Sequence, residues 1–231
     1  MTDILIDIKD ALEFYDALGY ERLPVRVKSG GAKPADANKE HALRILQKEM
    51  GDCRRCKLSD KRTHIVFGEG DADARLMFIG EAPGREEDIQ ARPFVGDAGT
   101  LLTRLIEKMD MKREEVYIAN IVKCRPPLNR DPEKDEIEAC GGFLKRQIEI
   151  VRPDVIMTLG RIAASVLTGI EKLKITVIRG KTFDYKGIPL IPTFHPAYLM
   201  RNPRDKWLTW EDAQVVLRIL KRVGGSKAEG R

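Results

Sequence analysis

The chain has 231 residues, 42% of them hydrophobic, and a formal net charge of +5. That is long and apolar enough to bury a core in one domain with at most an appendage, and it excludes a disordered chain; no apolar run approaches the ~18–20 residues that cross a bilayer. The basic excess permits nucleic-acid binding without demanding it.

The chain starts MTDILIDIKD, with early acidic residues and no positively charged lead-in to an apolar run. That argues against a secretory signal and for a cytoplasmic protein. Leu5, Ile8, Leu12 and Tyr15 share one helical face and Gly19 can stop it, which predicts an amphipathic helix over 1–20. KSGGAKPADAN (28–38) lacks periodicity and reads as a linker. Residues 1–40 therefore form a helical extension to a main domain over 41–224, with 225–231 as a frayed tail. Residues 1–25 are a candidate tether for a protein partner, although docking on their own fold is the commoner outcome. A helix follows over 38–50, with Leu43, Leu46 and Met50 inward and Gly51 as its end, and then Cys53 and Cys56 in CRRC.

The core alternates strand, loop and helix. Leu76–Ile79 is a first strand, broken at Gly80-Glu81-Ala82-Pro83-Gly84. A helix carrying Leu101, Leu102, Leu105, Ile106 and Met109 opens at Asp97 or Thr100, and Val116–Val122 is a second strand. Asp131-Pro132 starts a helix that runs to about Ile150. Val155–Leu159 is a third strand, and Gly160 leads into a short helix closed by Gly169. Ile175–Ile178 and Lys181–Tyr185 read as extra strands and Ile188–Phe194 as the last core strand, ended by His195-Pro196. Thr209-Trp210-Glu211-Asp212 has the form of a capping box for a final helix. This is an α/β chain with a mostly parallel sheet and helices on both faces. The loop after Ile79, Asn120 and the loop at His195 then share the carboxyl edge of the sheet, where such folds bind ligands.

At that edge the first turn is dense in carboxylates (Glu81, Glu86, Glu87, Asp88), and Phe94 follows in RPFVG. Carboxylates beside a flat ring suit a cationic centre better than a phosphate, and Phe94 is either a core residue or, as its setting after the acidic loop suggests, a stacking platform. Asn120 ends an apolar strand and needs partners. Its amide can donate to a carbonyl and accept from a ring N–H, the pattern of uracil and the reverse of cytosine. His195 can donate to a developing anion. Arg201, Arg204 and Lys206 beside it are candidate phosphate contacts, and Leu199 or Met200 a candidate wedge in stacked bases. The four cysteines, Cys53, Cys56, Cys124 and Cys140, are all accounted for by one four-thiolate site, for a 4Fe–4S cluster or for zinc.

Taken together, GEAPG, RPFVG, IANIVKCRPP, the four cysteines and FHPAYLMRNP closely resemble the family 4 uracil-DNA glycosylases, the iron–sulfur branch of that superfamily, from about Ala42 to Val223. The resemblance implies a three-layer α/β/α sandwich on a four-stranded parallel sheet. It implies a structural 4Fe–4S cluster on Cys53, Cys56, Cys124 and Cys140, a uracil site at Gly80, Phe94, Asn120 and His195, and acidic positions at Glu81 and Glu87. Some other branches of the superfamily place an Asp or Asn water activator where this chain has Glu81-Ala82-Pro83. A covalently trapping relative carries a histidine-containing basic insertion where this chain has Glu86–Arg92 without histidine, so ordinary turnover is expected.

The mechanism expected on this footing is uracil flipping from single- or double-stranded DNA and hydrolysis of its glycosidic bond. Glu87 would position water, Glu81 would stabilise the sugar cation, and His195 with Asn120 would hold the leaving anion; no divalent metal enters the chemistry, and a monomer suffices. The competing readings are a glycosylase for other deaminated bases and a non-catalytic iron–sulfur or zinc DNA-binding module. A phosphate-loop protein is disfavoured by the absence of a Lys-Ser/Thr pair after the glycines.

Overall fold

The computed structural model describes the backbone over 36–228 and side chains over 39–223. The predicted helix over 1–20 lies outside the described residues, as does most of the predicted linker.

Six strands form one sheet: β1 (Glu69–Gly70), β2 (Leu76–Gly80), β3 (Tyr117–Asn120), β4 (Val155–Leu159), β5 (Phe183–Tyr185) and β6 (Ile188–Thr193). Their order across the sheet is β1-β3-β2-β4-β6-β5. The central four are mutually parallel, and the short edge strands β1 and β5 run antiparallel to their neighbours. The expected four-stranded parallel sheet is thus the centre of a six-stranded mixed one. Strands β2, β3 and β4 are buried along their whole length, which matches their unbroken apolar sequences.

The α-helices are α1 (Asp36–Met50), α2 (Arg85–Gln90), α3 (Asp97–Lys108), α4 (Lys134–Val151), α5 (Arg161–Thr168), α6 (Ile175–Ile178), α7 (Pro196–Arg201) and α8 (Lys206–Ala228). Strand alternation divides the core into two clusters. Met77, Ile79, Tyr117, Ala119, Ile156 and Leu190 pack with residues of α1, α4 and α5, including Leu43, Leu46, Leu144, Ile148 and Ala163. Leu76, Phe78, Ile118, Val155, Met157 and Ile191 pack with Leu102 and Ile106 of α3 and Ala213, Val216 and Leu220 of α8. The architecture is therefore three layers, α/β/α. Among the described residues no helix is long and apolar enough to cross a membrane.

Four local expectations are corrected. Ile175–Ile178 is the single-turn helix α6, not a strand. Its β-branched sequence favours extended backbone, but β5 takes the place beside β6. The last helix begins at Lys206, so Thr209 lies inside it and its hydroxyl has no partner. Asp212 likewise does not cap; it is buried and accepts from Thr193 Oγ1 (2.6 Å) and from the Arg179 guanidinium (2.7 Å). Helix α4 starts at Lys134, after Asp131-Pro132, where the Glu136 carboxylate accepts the Glu133 N–H at 2.8 Å. The final helix also continues through residues 225–228.

The parallel register aligns the carboxyl ends of the central strands. Gly80 pairs with Asn120, Ile79 with Thr158, and Leu159 with Thr193. The three loops that follow β2, β3 and β6 consequently open at one edge.

Candidate active site

A cavity of about 520 Å³ opens at that edge. Its lining comes from the β2–α2 turn (Glu81 to Glu87), the start of α3, Asn120 with the loop that follows β3, and the start of α7. Phe94, Asn120 and His195 meet there, 26 and 75 positions apart along the chain but brought together by the strand ends.

Close packing sets the floor. A Cβ on Gly80 would collide with Asn120 Oδ1 and lie 2.5 Å from Phe94 Cζ, so only glycine at the end of β2 lets the amide and the ring approach. Phe94 itself has a left-handed backbone, φ 51°. The Glu87 carboxylate supports that geometry. Its Oε1 accepts the N–H groups of Val95 (2.9 Å) and Gly96 (3.0 Å), and its Oε2 accepts that of Gly84 (3.1 Å). Arg113 holds the other side by donating to the Pro93 carbonyl at 2.6 Å. Glu87 therefore lies in the predicted neighbourhood but spends its oxygens on the backbone around the ring.

Asn120 is 1% exposed, and its Oδ1 is buried without a hydrogen-bond partner. An unpaired buried acceptor costs about 1–3 kcal/mol, which a ligand N–H would recover. Its own carbonyl is held at 2.9 Å by Lys123 Nζ, which also donates to Gln147 Oε1 at 2.6 Å. Lys123 is 1% exposed, and burial pulls its ammonium down to about 8. Sequence reading gave this lysine no role, because an isolated lysine is ordinarily a solvated one.

The His195 ring lies 5.8 Å from the Phe94 ring, tilted by 36°. Its Nδ1 accepts the Ala197 N–H at 3.2 Å, which leaves Nε2 to carry the proton. Burial and the Arg201 charge pull its pKa down to about 4, against a smaller opposing effect of Glu87, so the ring is neutral at physiological pH. Glu81 goes the other way. Burial and the nearby Asp131 carboxylate push it up to about 7, partly opposed by Arg161.

Of the predicted phosphate contacts, Arg201 is exposed on the cavity lining, while Arg204 and Lys206 are exposed farther along the chain and do not line it. Leu199 is 4% exposed and packed inward, so of the two predicted wedge residues only Met200, at 43%, is presented to solvent. The lining also includes Pro126, Asn129, Arg130 and Asp131. In the sequence, Pro126 entered only through IANIVKCRPP and Asp131 only as a helix start, while Asn129 and Arg130 had no role; their position just after β3, on the edge already identified, was the signal available.

The four cysteines converge on a second, small cavity lined also by Arg55, Arg62, Lys123 and Phe143. All four are free thiols. Among the described residues no three His, Cys, Asp or Glu side chains form a group that could hold a single metal ion. Two buried donors face the sulfurs: Arg62 donates to Cys124 Sγ at 3.4 Å, and the Lys123 N–H to Cys140 Sγ at 3.3 Å. Burial pushes the Cys124 thiol up to about 11 and raises Cys140 as well. Donors aimed at sulfur anticipate thiolate, the form that iron or zinc would stabilise.

A profile described as "Uracil DNA glycosylase superfamily" matches residues 67–215. The chain is 46% identical over 189 residues to a type-4 uracil-DNA glycosylase of Thermotoga maritima, covering 80% of this chain and 98% of that one. It is 48% identical over 186 residues to the type-4 enzyme of Saccharolobus solfataricus (77% and 86% covered), and 45% identical over 179 residues to that of Sulfurisphaera tokodaii (74% and 81%). With the strand-end cavity and its Phe94, Asn120 and His195, these matches mean that the chain belongs to the uracil-DNA glycosylase superfamily, in its type-4 branch.

Proposed function

We propose that this protein takes uracil out of the DNA stack and hydrolyses its N-glycosidic bond, releasing the free base and leaving an abasic site. The observation that carries this reading is the buried, unpartnered Asn120 Oδ1 beside the Phe94 ring. Uracil N3–H would satisfy that oxygen. Cytosine, with a bare N3, would leave it orphaned, and such a mismatch is rejected strongly.

In this reading Phe94 stacks on the flipped base, and His195 Nε2–H donates to a uracil carbonyl as negative charge develops on the leaving ring. A neutral imidazole donates without having to lose a cation's hydration. The C1′–N1 bond breaks toward a sugar of oxocarbenium character, and a water oxygen bonds to C1′. We assign the water's proton to Glu81, whose pKa near 7 suits a general base at neutral pH. Glu87 becomes a positioning residue, since three backbone N–H groups already occupy its carboxylate. In this proposal the water passes from Glu87 to Glu81, and Glu87 holds the backbone around the ring instead. Arg201, exposed on the lining, is a phosphate contact this cavity offers.

We also propose that Cys53, Cys56, Cys124 and Cys140 hold a 4Fe–4S cluster. Four thiols around one cavity, with donors already aimed at two of them, suit it. When bound, the cluster would cross-link the segment after α1, the exit of β3, and α4; it takes no part in bond cleavage. We propose that it acts as a monomer on single- and double-stranded uracil-DNA.

The test is base release from matched oligonucleotides containing uracil or cytosine. Uracil should be released and cytosine not, and Asn120→Ala should lose about 10²-fold or more in rate. Failure of cluster-loaded protein to release uracil while still binding DNA would overturn the enzyme reading.

A further inference from the structure

Leu128 is 97% exposed, the highest value among the exposed large hydrophobic side chains described; the next, Trp207, is 59%. Exposure of a lone leucine is ordinary, but this one is coupled to an unfavourable backbone. Leu128 has φ 54°, and Asn129 after it φ 55°, both in the left-handed region that a branched side chain enters at a cost. A turn of this shape is what glycine provides without cost.

The turn is also braced. The Asn129 N–H donates to the Pro126 carbonyl (3.1 Å) and the Arg130 N–H to that of Pro127 (3.2 Å). Arg125 Nε donates to Asn129 Oδ1 at 2.8 Å. Arg130 grips the fully buried Glu136 carboxylate through both terminal nitrogens, at 2.8 and 2.6 Å. Pro126, Asn129 and Arg130 all line the active-site cavity. The chain therefore holds a bare apolar side chain out into water, on a rigid turn, at the mouth through which a base must pass.

We propose that Leu128 is a duplex wedge, a side chain that enters the base stack of double-stranded DNA beside the uracil as the base swings into the cavity. Apolar side chains of this size are what proteins insert between base steps. A pre-ordered turn loses little freedom on insertion, and the exposed leucine is dehydrated only when DNA is present. The inference rests on the uracil-glycosylase reading but assigns a residue outside the base-recognition machinery. Its effect is confined to opening a duplex; a single strand has no stack that must be breached.

The experiment compares cluster-loaded wild type with Leu128→Ala, Leu128→Gly and Leu128→Met on one uracil-containing sequence, single-stranded and paired with its complement. Ala and Gly should reduce release from the duplex about tenfold or more and release from the single strand by no more than about twofold, while Met keeps duplex activity. A 2-aminopurine beside the uracil should brighten on binding wild type and stay quenched with Leu128→Ala. Leu128→Gly should melt at or above the wild-type temperature, which separates wedge loss from misfolding. Undiminished duplex release in Ala and Gly, or an equal loss on both substrates, would overturn the wedge. A wild type silent on both substrates would overturn the glycosylase reading itself, and this inference with it.

Discussion

Glu81 ties folding and catalysis to pH in opposite senses. Its folded pKa of about 7 stands above the ordinary 4.5, so the folded state binds its proton more tightly. The group's contribution to stability is complete below pH 4.5 and is lost as pH rises through 7. A general base, in contrast, works only when ionised, so uracil release should climb as pH rises through 7. Glu81→Gln should remove that rising limb and lower the rate about 10²–10⁴-fold. At pH 8 the same variant should be more stable by about 1 kcal/mol, after allowance for the side chain's partial exposure, because a half-buried charge is gone. Rate–pH profiles and thermal melts of both proteins check this; a variant that loses activity but keeps the wild-type pH dependence would remove Glu81 from the role of base. His195, lowered from 6.5 to about 4, behaves otherwise. Its contribution is present above pH 6.5 and lost as pH falls through 4, so acid attacks the site at the histidine.

The β2–α2 turn and the segment up to α3 form the element that presents the ring. Glu87→Ala would free the Val95, Gly96 and Gly84 N–H groups at once and should cost about 2 kcal/mol. It should also raise the apparent KM for uracil-DNA, because Phe94 loses the contacts that hold its left-handed backbone. Glu87→Gln, which keeps one acceptor oxygen, should restore part of both; titration of the variants with uracil-DNA and their melting curves measure the two effects. This element was only partly legible in the sequence. The strand Leu76–Gly80, its Gly/Pro break, and the convergence of Phe94, Asn120 and His195 follow from apolar runs ending in turns. That Glu87 faces backbone while Glu81 faces the cavity depends on how the turn closes, which a string of adjacent carboxylates does not encode. Ile175–Ile178 misled for a related reason: local preference for strand loses where β5 already pairs with β6. The Leu128 turn gave no sign at all, since a leucine between Pro127 and Asn129 does not announce a left-handed backbone.

At the scale of the whole molecule, β3 leads at its carboxyl end both to the base cavity and to a cysteine of the proposed cluster. The carboxyl edge carries the base cavity, and the proposed cluster gathers the segment after α1, the exit of β3, and α4 against one face. Removing the cluster, by chelation or by Cys124→Ser, should lower the melting temperature by roughly 10 °C and abolish the iron–sulfur absorption together. An unchanged melt after iron loss would mean the fold does not depend on it. The run Asn120–Cys124 bears further on this. It holds the base-reading amide, the buried Lys123 that clasps the Asn120 carbonyl, and a cysteine of the cluster set, with no flexible spacer between them. On the proposed reading of the cysteines, a chain without its cluster has its reading amide attached to an unfinished anchor. Repair capacity in the cell would then follow iron supply, and immature copies would pass over uracil instead of occupying it without cutting.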